Sequence, residues 1–181
     1  LAMISELRTR GVTQPFLLMG YFNPMLAYGL ERFVSDAAAA GVDGFIVPDL
    51  PPEEADDLDR LCADRGLGLI YFLAPTSPDE RLKIVAIKAR GFIYLVSLTG
   101  VTGTRSKLAD NLGTFVDRVR TATSTPIAIG FGVSTPEQAA QVSRIADGVI
   151  VGSRLVQIVD RAEDKPQAAA QFVRELKSAI R

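Results

Sequence analysis

The chain has 181 residues and a mass of 19.5 kDa, room for one domain of ordinary size and too little for a comfortable pair. Hydrophobic types make up 48% and charged types 23%, a composition that buries a core and excludes a disordered chain. With 20 basic and 21 acidic side chains the net charge is -1, so no positive excess serves a nucleic-acid backbone; histidine is absent and Cys62 is the only cysteine, which removes disulfides, His/Cys metal sites and His-based catalysis.

In chain order, Leu1, Ile4 and Leu7 read as the tail of a helix, followed by Gly11 and Pro15. Residues 16–21 are the first buried strand, and Leu30, Phe33, Val34, Ala37 and Ala38 form a stripe at helical spacing that Gly41 closes as a C-terminal cap. The unit then returns. Strand 44–48 precedes a helix carrying Leu58, Leu61 and Cys62 before Gly66, where Cys62 reads as an ordinary buried thiol. Strand 69–73 precedes a helix carrying Leu82, Val85, Ala86 and Ala89 before Gly91, and strand 92–96 follows. Leu112, Phe115, Val116 and Val119 mark the next helix, 127–130 the next strand, Ala139, Val142 and Ile145 a shorter helix, and 149–151 the last strand. Phe172, Val173, Leu176 and Ile180 mark a final helix. Ser77-Pro-Asp-Glu80 predicts a helix capped by Ser77, and Ser134-Thr-Pro-Glu137 predicts a similar box or a Thr135 cap followed by Pro136.

The strands are continuous apolar runs, so both sheet faces are covered, as in parallel α/β architecture. Their starts lie about 27 residues apart, the length of a βα unit, and six of them fit an open doubly wound sheet or a segment of a (βα)8 barrel. An opening in mid-helix favours the barrel, because eight such units need about 215 residues. On the barrel reading, 1–181 is a single TIM-type partial barrel domain, with strands three to eight present and the first two units missing; the alternative is an open sheet of six. No apolar run approaches the roughly 20 residues of a membrane span and no signal-peptide pattern opens the chain, so a soluble, reducing compartment fits.

In either architecture functional residues lie at the carboxyl ends of strands. Ser97-Leu-Thr-Gly-Val-Thr-Gly103, followed by Thr104, Arg105, Ser106 and Lys107, reads as a mobile lid or as a long surface loop. Gly130-Phe-Gly132 can bring backbone N–H groups close to an anion, and Gly152-Ser153 opens a short helix whose N-terminus can hold phosphate. Together they match the phosphate site after strands seven and eight of a barrel; tight structural turns are the alternative. No dinucleotide or nucleoside triphosphate fingerprint is present. Asp49 can orient a substrate group or act as a base, or simply accept hydrogen bonds in a turn, whereas Asp147 reads as a turn residue. Tyr21 and Tyr94 can face an aromatic ligand or pack in the core, and Phe131 can touch a ligand or plug the barrel.

The phrases Gly20-Tyr-Phe-Asn-Pro24, Gly41-Val-Asp-Gly44, Val47-Pro-Asp-Leu-Pro-Pro-Glu-Glu54, Ala74-Pro-Thr, Ser97-Leu-Thr-Gly-Val-Thr-Gly103, Gly130-Phe-Gly-Val-Ser-Thr-Pro-Glu-Gln138 and Gly148-Val-Ile-Val-Gly-Ser153 resemble the tryptophan synthase alpha chain along essentially the whole sequence. The resemblance implies a (βα)8 barrel that cleaves indole-3-glycerol phosphate to indole and glyceraldehyde 3-phosphate in the cytoplasm. It implies no cofactor in this chain, and an alpha2-beta2 heterotetramer with a beta chain that carries pyridoxal phosphate and receives the indole. It places Gly103, Gly130, Gly132, Gly152 and Ser153 around the phosphate, and Tyr21, Tyr94 and Phe131 beside the indole-glycerol portion. Thr102 would organise the closed site through a catalytic aspartate, and Asp49 matches a strand-end aspartate of the family. The family's catalytic glutamate and aspartate fall upstream of Leu1, so no catalytic residue is assigned here. An inactive fragment that binds phosphate or a partner, and another barrel enzyme acting on a small sugar phosphate, are the competing expectations.

Overall fold

A computed structural model describes residues 1–96, 105–130 and 132–180. They divide into two compact units, Leu1–Phe72 with Pro78–Ile93, and Leu73–Ser77 with Tyr94–Arg181.

In the first unit α1 (Ala2–Thr9) leads to β1 (Leu17–Met19), α2 (Phe22–Tyr28), α3 (Leu30–Ala40) and β2 (Gly44–Ile46). A short 3-10 turn (Pro52–Glu54), α4 (Asp56–Ala63) and β3 (Gly68–Ile70) follow; β4 (Phe72–Leu73) lies at the boundary, and α5 (Asp79–Lys88) completes the unit. Strands β1, β2 and β3 pair in parallel in that order, with Leu17, Gly44 and Gly68 in register. Val34, Ala37, Phe45, Leu58, Cys62 and Val85 are all but inaccessible, and Phe33 packs on Phe45 with ring centroids 5.2 Å apart. Gly41 ends α3 in the left-handed conformation, φ 87° and ψ 26°, as its position after the apolar stripe predicts. Cys62 is fully buried, and burial pushes its thiol up to about 12, the behaviour of an inert core residue.

The second unit contains β5 (Ile93–Val96), whose first residue adjoins the boundary, α6 (Arg105–Arg120), β6 (Ile127–Gly130), α7 (Pro136–Val142), β7 (Gly148–Val149), α8 (Ser153–Arg161) and α9 (Lys165–Ala179). Its sheet runs β4-β5-β6-β7, with Ala128 opposite Gly148 and Ile129 opposite Val149 in a parallel pair. Leu95, Phe115, Val116, Val119, Ile127, Ile129, Ala139 and Phe172 form its core.

The same device opens the β1–β2 and β6–β7 pairs. Asp43, just before β2, accepts from Phe16 N–H at 2.6 Å and from Arg8 at 2.5 Å, while its own N–H donates to Phe16 O at 2.9 Å. Asp147, just before β7, accepts from Ile127 N–H at 2.8 Å and from Arg120 at 3.2 Å, and its N–H donates to Ile127 O at 2.9 Å. Arg8 goes further, donating to the carbonyls of Gly41, Val12 and Gln14 at 2.8 to 2.9 Å, so one planar guanidinium joins the end of α1 to the entries of β1 and β2.

Several boundaries differ from the sequence expectation. The run 69–73 is two strands, since β3 pairs with β2 and β4 with β5, and Tyr71 marks the change of neighbour. Ser77 does not cap α5: its hydroxyl accepts from Ala74 N–H at 3.0 Å within the preceding turn, and Pro78 occupies the N-cap position. The helix backbone begins at Arg105, so the basic pair expected in a loop belongs to α6. Helix α2 is an addition, separated from α3 by Gly29 at φ 94°. Among the described residues no helix is long and apolar enough to cross a membrane.

A Cβ on Gly44 would lie 2.3 Å from the Gly68 carbonyl oxygen and 2.8 Å from Leu17 Cδ2. Gly44→Ala is therefore expected to cost about 1–3 kcal/mol in denaturant unfolding, the usual penalty of forcing atoms into a filled site. Asp147 is held below its ordinary value of 3.8, chiefly by the Ile127 N–H and further by Arg120. A depressed carboxyl contributes stability above its ordinary value and loses it as the pH falls through the lower, folded one. Denaturant unfolding repeated above and below 3.8 should show Asp147→Asn with a flatter acid limb than the natural chain.

Candidate functional site

In the first unit the expected residues Tyr21 and Asp49 come together through the backbone. Tyr21 is the N-cap of α2 and 67% exposed, so it is not a core residue. Asp49 follows β2, and its two carboxylate oxygens accept the Phe22 N–H at 2.9 and 3.2 Å. Asp49 thus acts as an acceptor, and its donor is the first amide of α2 instead of one from its own turn. Asp49 also lines a cavity of about 190 Å³ walled by residues 47–52 and 69–72 and by Arg81. Arg81 pairs with Glu53 at 2.9 Å and holds its carboxyl below the usual range.

In the second unit Gly130, Gly132, Gly152 and Ser153 lie at the ends of neighbouring strands. The Ile150 N–H donates to Ile129 O at 2.8 Å, carrying the β6–β7 ladder to the edge of both turns. Gly132 has φ 89°, a conformation that side chains disfavour. Beyond it Thr135 caps α7 in a capping box with Gln138, while Gln138 Oε1 also accepts from the N–H and hydroxyl of Ser134 at 2.8 and 3.0 Å. This selects the Thr135 cap over a box opened by Ser134. Gln138 is a contributor beyond the expected residues, and its signal in the sequence is Thr135-Pro-Glu-Gln138, which fits the capping-box pattern.

Gly152 is the N-cap of α8 and Ser153 its first residue; no side chain caps the helix, and a Cβ at Gly152 would meet nothing within 4 Å. The amides that open such a helix carry partial positive charge and favour an anion. Gly130 meets a packing constraint as well. It is buried at the end of β6, and a Cβ there would lie 2.1 Å from the Tyr94 hydroxyl oxygen and 2.6 Å from its ring carbon. Tyr94 is 7% exposed, burial raises its hydroxyl above the ordinary value, and its ring is lodged against Gly130. Thr102, Gly103 and Phe131 lie outside the described residues.

Gly130→Ala should destabilise the chain by about 1–3 kcal/mol, and adding Tyr94→Phe should recover part of that loss by removing the nearest atom. Denaturant midpoints of the two single variants and the double variant measure it; strictly additive losses would contradict the contact.

Residues 1–181 match the family model described as tryptophan synthase alpha chain. The tryptophan synthase alpha chain of Chloroflexus aurantiacus is 53% identical over 182 residues, covering 99% of this chain and 68% of its own length. That of Geobacter sulfurreducens is 50% identical over 183 residues, with 99% and 69% covered. The crystal structure of tryptophan synthase subunit alpha from Legionella pneumophila aligns with a TM-score of 0.89 at 37% identity, over 99% of this chain and 67% of that one. A chain from the tryptophan synthase α2β2 complex of Pyrococcus furiosus aligns with a TM-score of 0.84 at 35% identity, over 98% and 72%. The parallel α/β units are those of a partial (βα)8 barrel, and the chain belongs to the tryptophan synthase alpha chain family.

Proposed function

We propose that residues 1–181 form a partial barrel domain that holds the substrate of a cytoplasmic carbon–carbon lyase, the enzyme that cleaves indole-3-glycerol phosphate to indole and glyceraldehyde 3-phosphate. The observation that carries the reading is the pair of adjacent turns after β6 and β7: one contains Gly132 at φ 89°, and the other opens α8 with no side-chain cap. Gly130, Gly132, Gly152 and Ser153, with Gly103, surround the phosphate in this reading, mostly through backbone groups. Tyr21, Tyr94 and Phe131 border the indole-glycerol portion, Thr102 organises the closed site, and Asp49 supports it.

Breaking the carbon–carbon bond requires protonation at indole C3 and removal of a glycerol hydroxyl proton. The family assigns that transfer to a glutamate and an aspartate outside residues 1–181, so the present residues bind and orient. The family's alpha chain has no cofactor of its own, and pyridoxal phosphate belongs to the beta chain. Partnership with a beta chain in an alpha2-beta2 assembly is supported by the likeness to a chain of the Pyrococcus furiosus complex.

Calorimetric titration of the 181-residue chain with indole-3-glycerol phosphate and with its dephosphorylated form tests the phosphate site. Ser153→Ala should weaken the phosphorylated ligand roughly tenfold, the worth of a hydrogen bond to a charged group, and leave the other unchanged. Equal affinity for both ligands in the natural chain would overturn the site. Indole release by the 181-residue polypeptide at a full-length relative's rate would overturn the assignment of proton transfer to other residues.

A further inference from the structure

A side chain that is 67% exposed is not held by packing, yet Tyr21 is the residue of the first unit assigned to the substrate's aromatic portion. Its backbone is clamped on both sides. Gly20 N–H donates to Ile46 O at 3.1 Å, prolonging the β1–β2 ladder beyond Met19. The next donor but one, Phe22 N–H, meets the Asp49 carboxylate at 2.9 and 3.2 Å. Both acceptors belong to β2 or the turn that follows it, so a single segment fixes the residues before and after Tyr21.

The second clamp answers a local need. Tyr21 stands at the N-cap of α2 with φ -82° and ψ 155°, and no side chain within the helix caps it. Tyrosine has no short acceptor able to fold back on the first amides, unlike Ser, Thr, Asp or Asn. The acceptor arrives instead from a residue 27 positions along the chain, and as a carboxylate it makes a stronger bond than a neutral group.

We propose that Asp49 is a positioning residue, which caps α2 from outside and thereby sets the placement of Tyr21 against the aromatic part of the substrate. The inference rests on the reading of Tyr21 as a substrate contact. Asp49 acts through the Phe22 amide and transfers no proton. Its loss frees the first turn of α2 to open locally, and a ring displaced by about an ångström is enough to lose a productive contact.

The probe is indole, read by its own fluorescence because the chain contains no tryptophan. Asp49→Ala should weaken indole binding roughly tenfold, while Asp49→Asn, which keeps one acceptor oxygen, should stay within about twofold. In a Tyr21→Ala background, Asp49→Ala should cost nothing further; additive losses would overturn the proposal by showing that Asp49 acts elsewhere. If Asp49→Ala does not fold, Asp49→Gln, whose longer side chain misplaces its acceptor, takes its place. The second readout is fluorine NMR with 3-fluorotyrosine. The Tyr21 resonance, assigned by its loss in Tyr21→Phe, should move toward the free amino-acid position in Asp49→Ala, and those of buried Tyr71 and Tyr94 should not. An unmoved Tyr21 resonance overturns the proposal. Unchanged indole affinity in Tyr21→Ala, or no indole binding by the natural chain, overturns the substrate-contact reading, and the fluorine shift separates that failure from a failure of the clamp.

Discussion

An aspartate that reaches back to the first amide of the preceding strand sets the register on which each candidate turn depends. Parallel strands have no hairpin to align them, and a slip of one residue would exchange the two faces of a strand. Asp43 and Asp147 remove that freedom by accepting the N–H of Phe16 and Ile127, with Arg8 and Arg120 holding the carboxylates in place. The far ends of the strands are then level: Met19 stands opposite Ile46, and Ile129 opposite Val149. In each unit the turns after those strands carry the candidate residues. Each aspartate is followed by a glycine, Gly44 or Gly148, where a Cβ would meet a neighbouring strand at 2.3 or 3.3 Å. Close approach and fixed register thus come from one two-residue phrase.

Much of the fold was legible because the apolar periodicities are strong and local. The stripe from Leu30 to Ala38 with Gly41 behind it contains both a helix and its stop, and the structure places them there. Features decided at longer range were not legible. A run such as 69–73 says that a strand is buried, but nothing in its composition says that it changes partner at Tyr71. Ser77 illustrates competition between two local bonds: the same hydroxyl can cap α5 or accept from Ala74, and the turn takes it. Helix α2 escapes notice because Pro24 and Gly29 resemble loop punctuation, although proline is tolerated in a first turn.

The candidate site divides along the same line. Glycines at strand ends announce a close backbone approach or an unusual backbone conformation; Gly132 shows the second with φ 89°, whereas a Cβ on Gly152 would meet nothing within 4 Å. At Gly130 the missing Cβ also makes room for Tyr94, a constraint that composition does not announce. The two tyrosines were indistinguishable in sequence, each at a strand end beside apolar neighbours. Their exposures, 67% for Tyr21 and 7% for Tyr94, separate them, because Tyr94 lies within β5 whereas Tyr21 has already left β1.

Charge use explains why the described carboxylates fit a holding role. Asp43, Asp49 and Asp147 accept backbone amides, and Glu53, Asp56 and Asp59 pair with Arg81, Lys88 and Arg90. A carboxyl that must leave its acceptor role to take a proton loses the geometry it maintains, which is the wrong economy for a group that cycles between acid and base. Asp147 makes the point physically, since the amide and guanidinium that align β6 with β7 also hold its carboxyl below its ordinary value. Residues that align strands and residues that exchange protons are therefore under opposing requirements. The turns of this chain meet the first requirement: the α8 amides stand without a side-chain cap, and Asp43, Asp49 and Asp147 are already engaged by backbone amides.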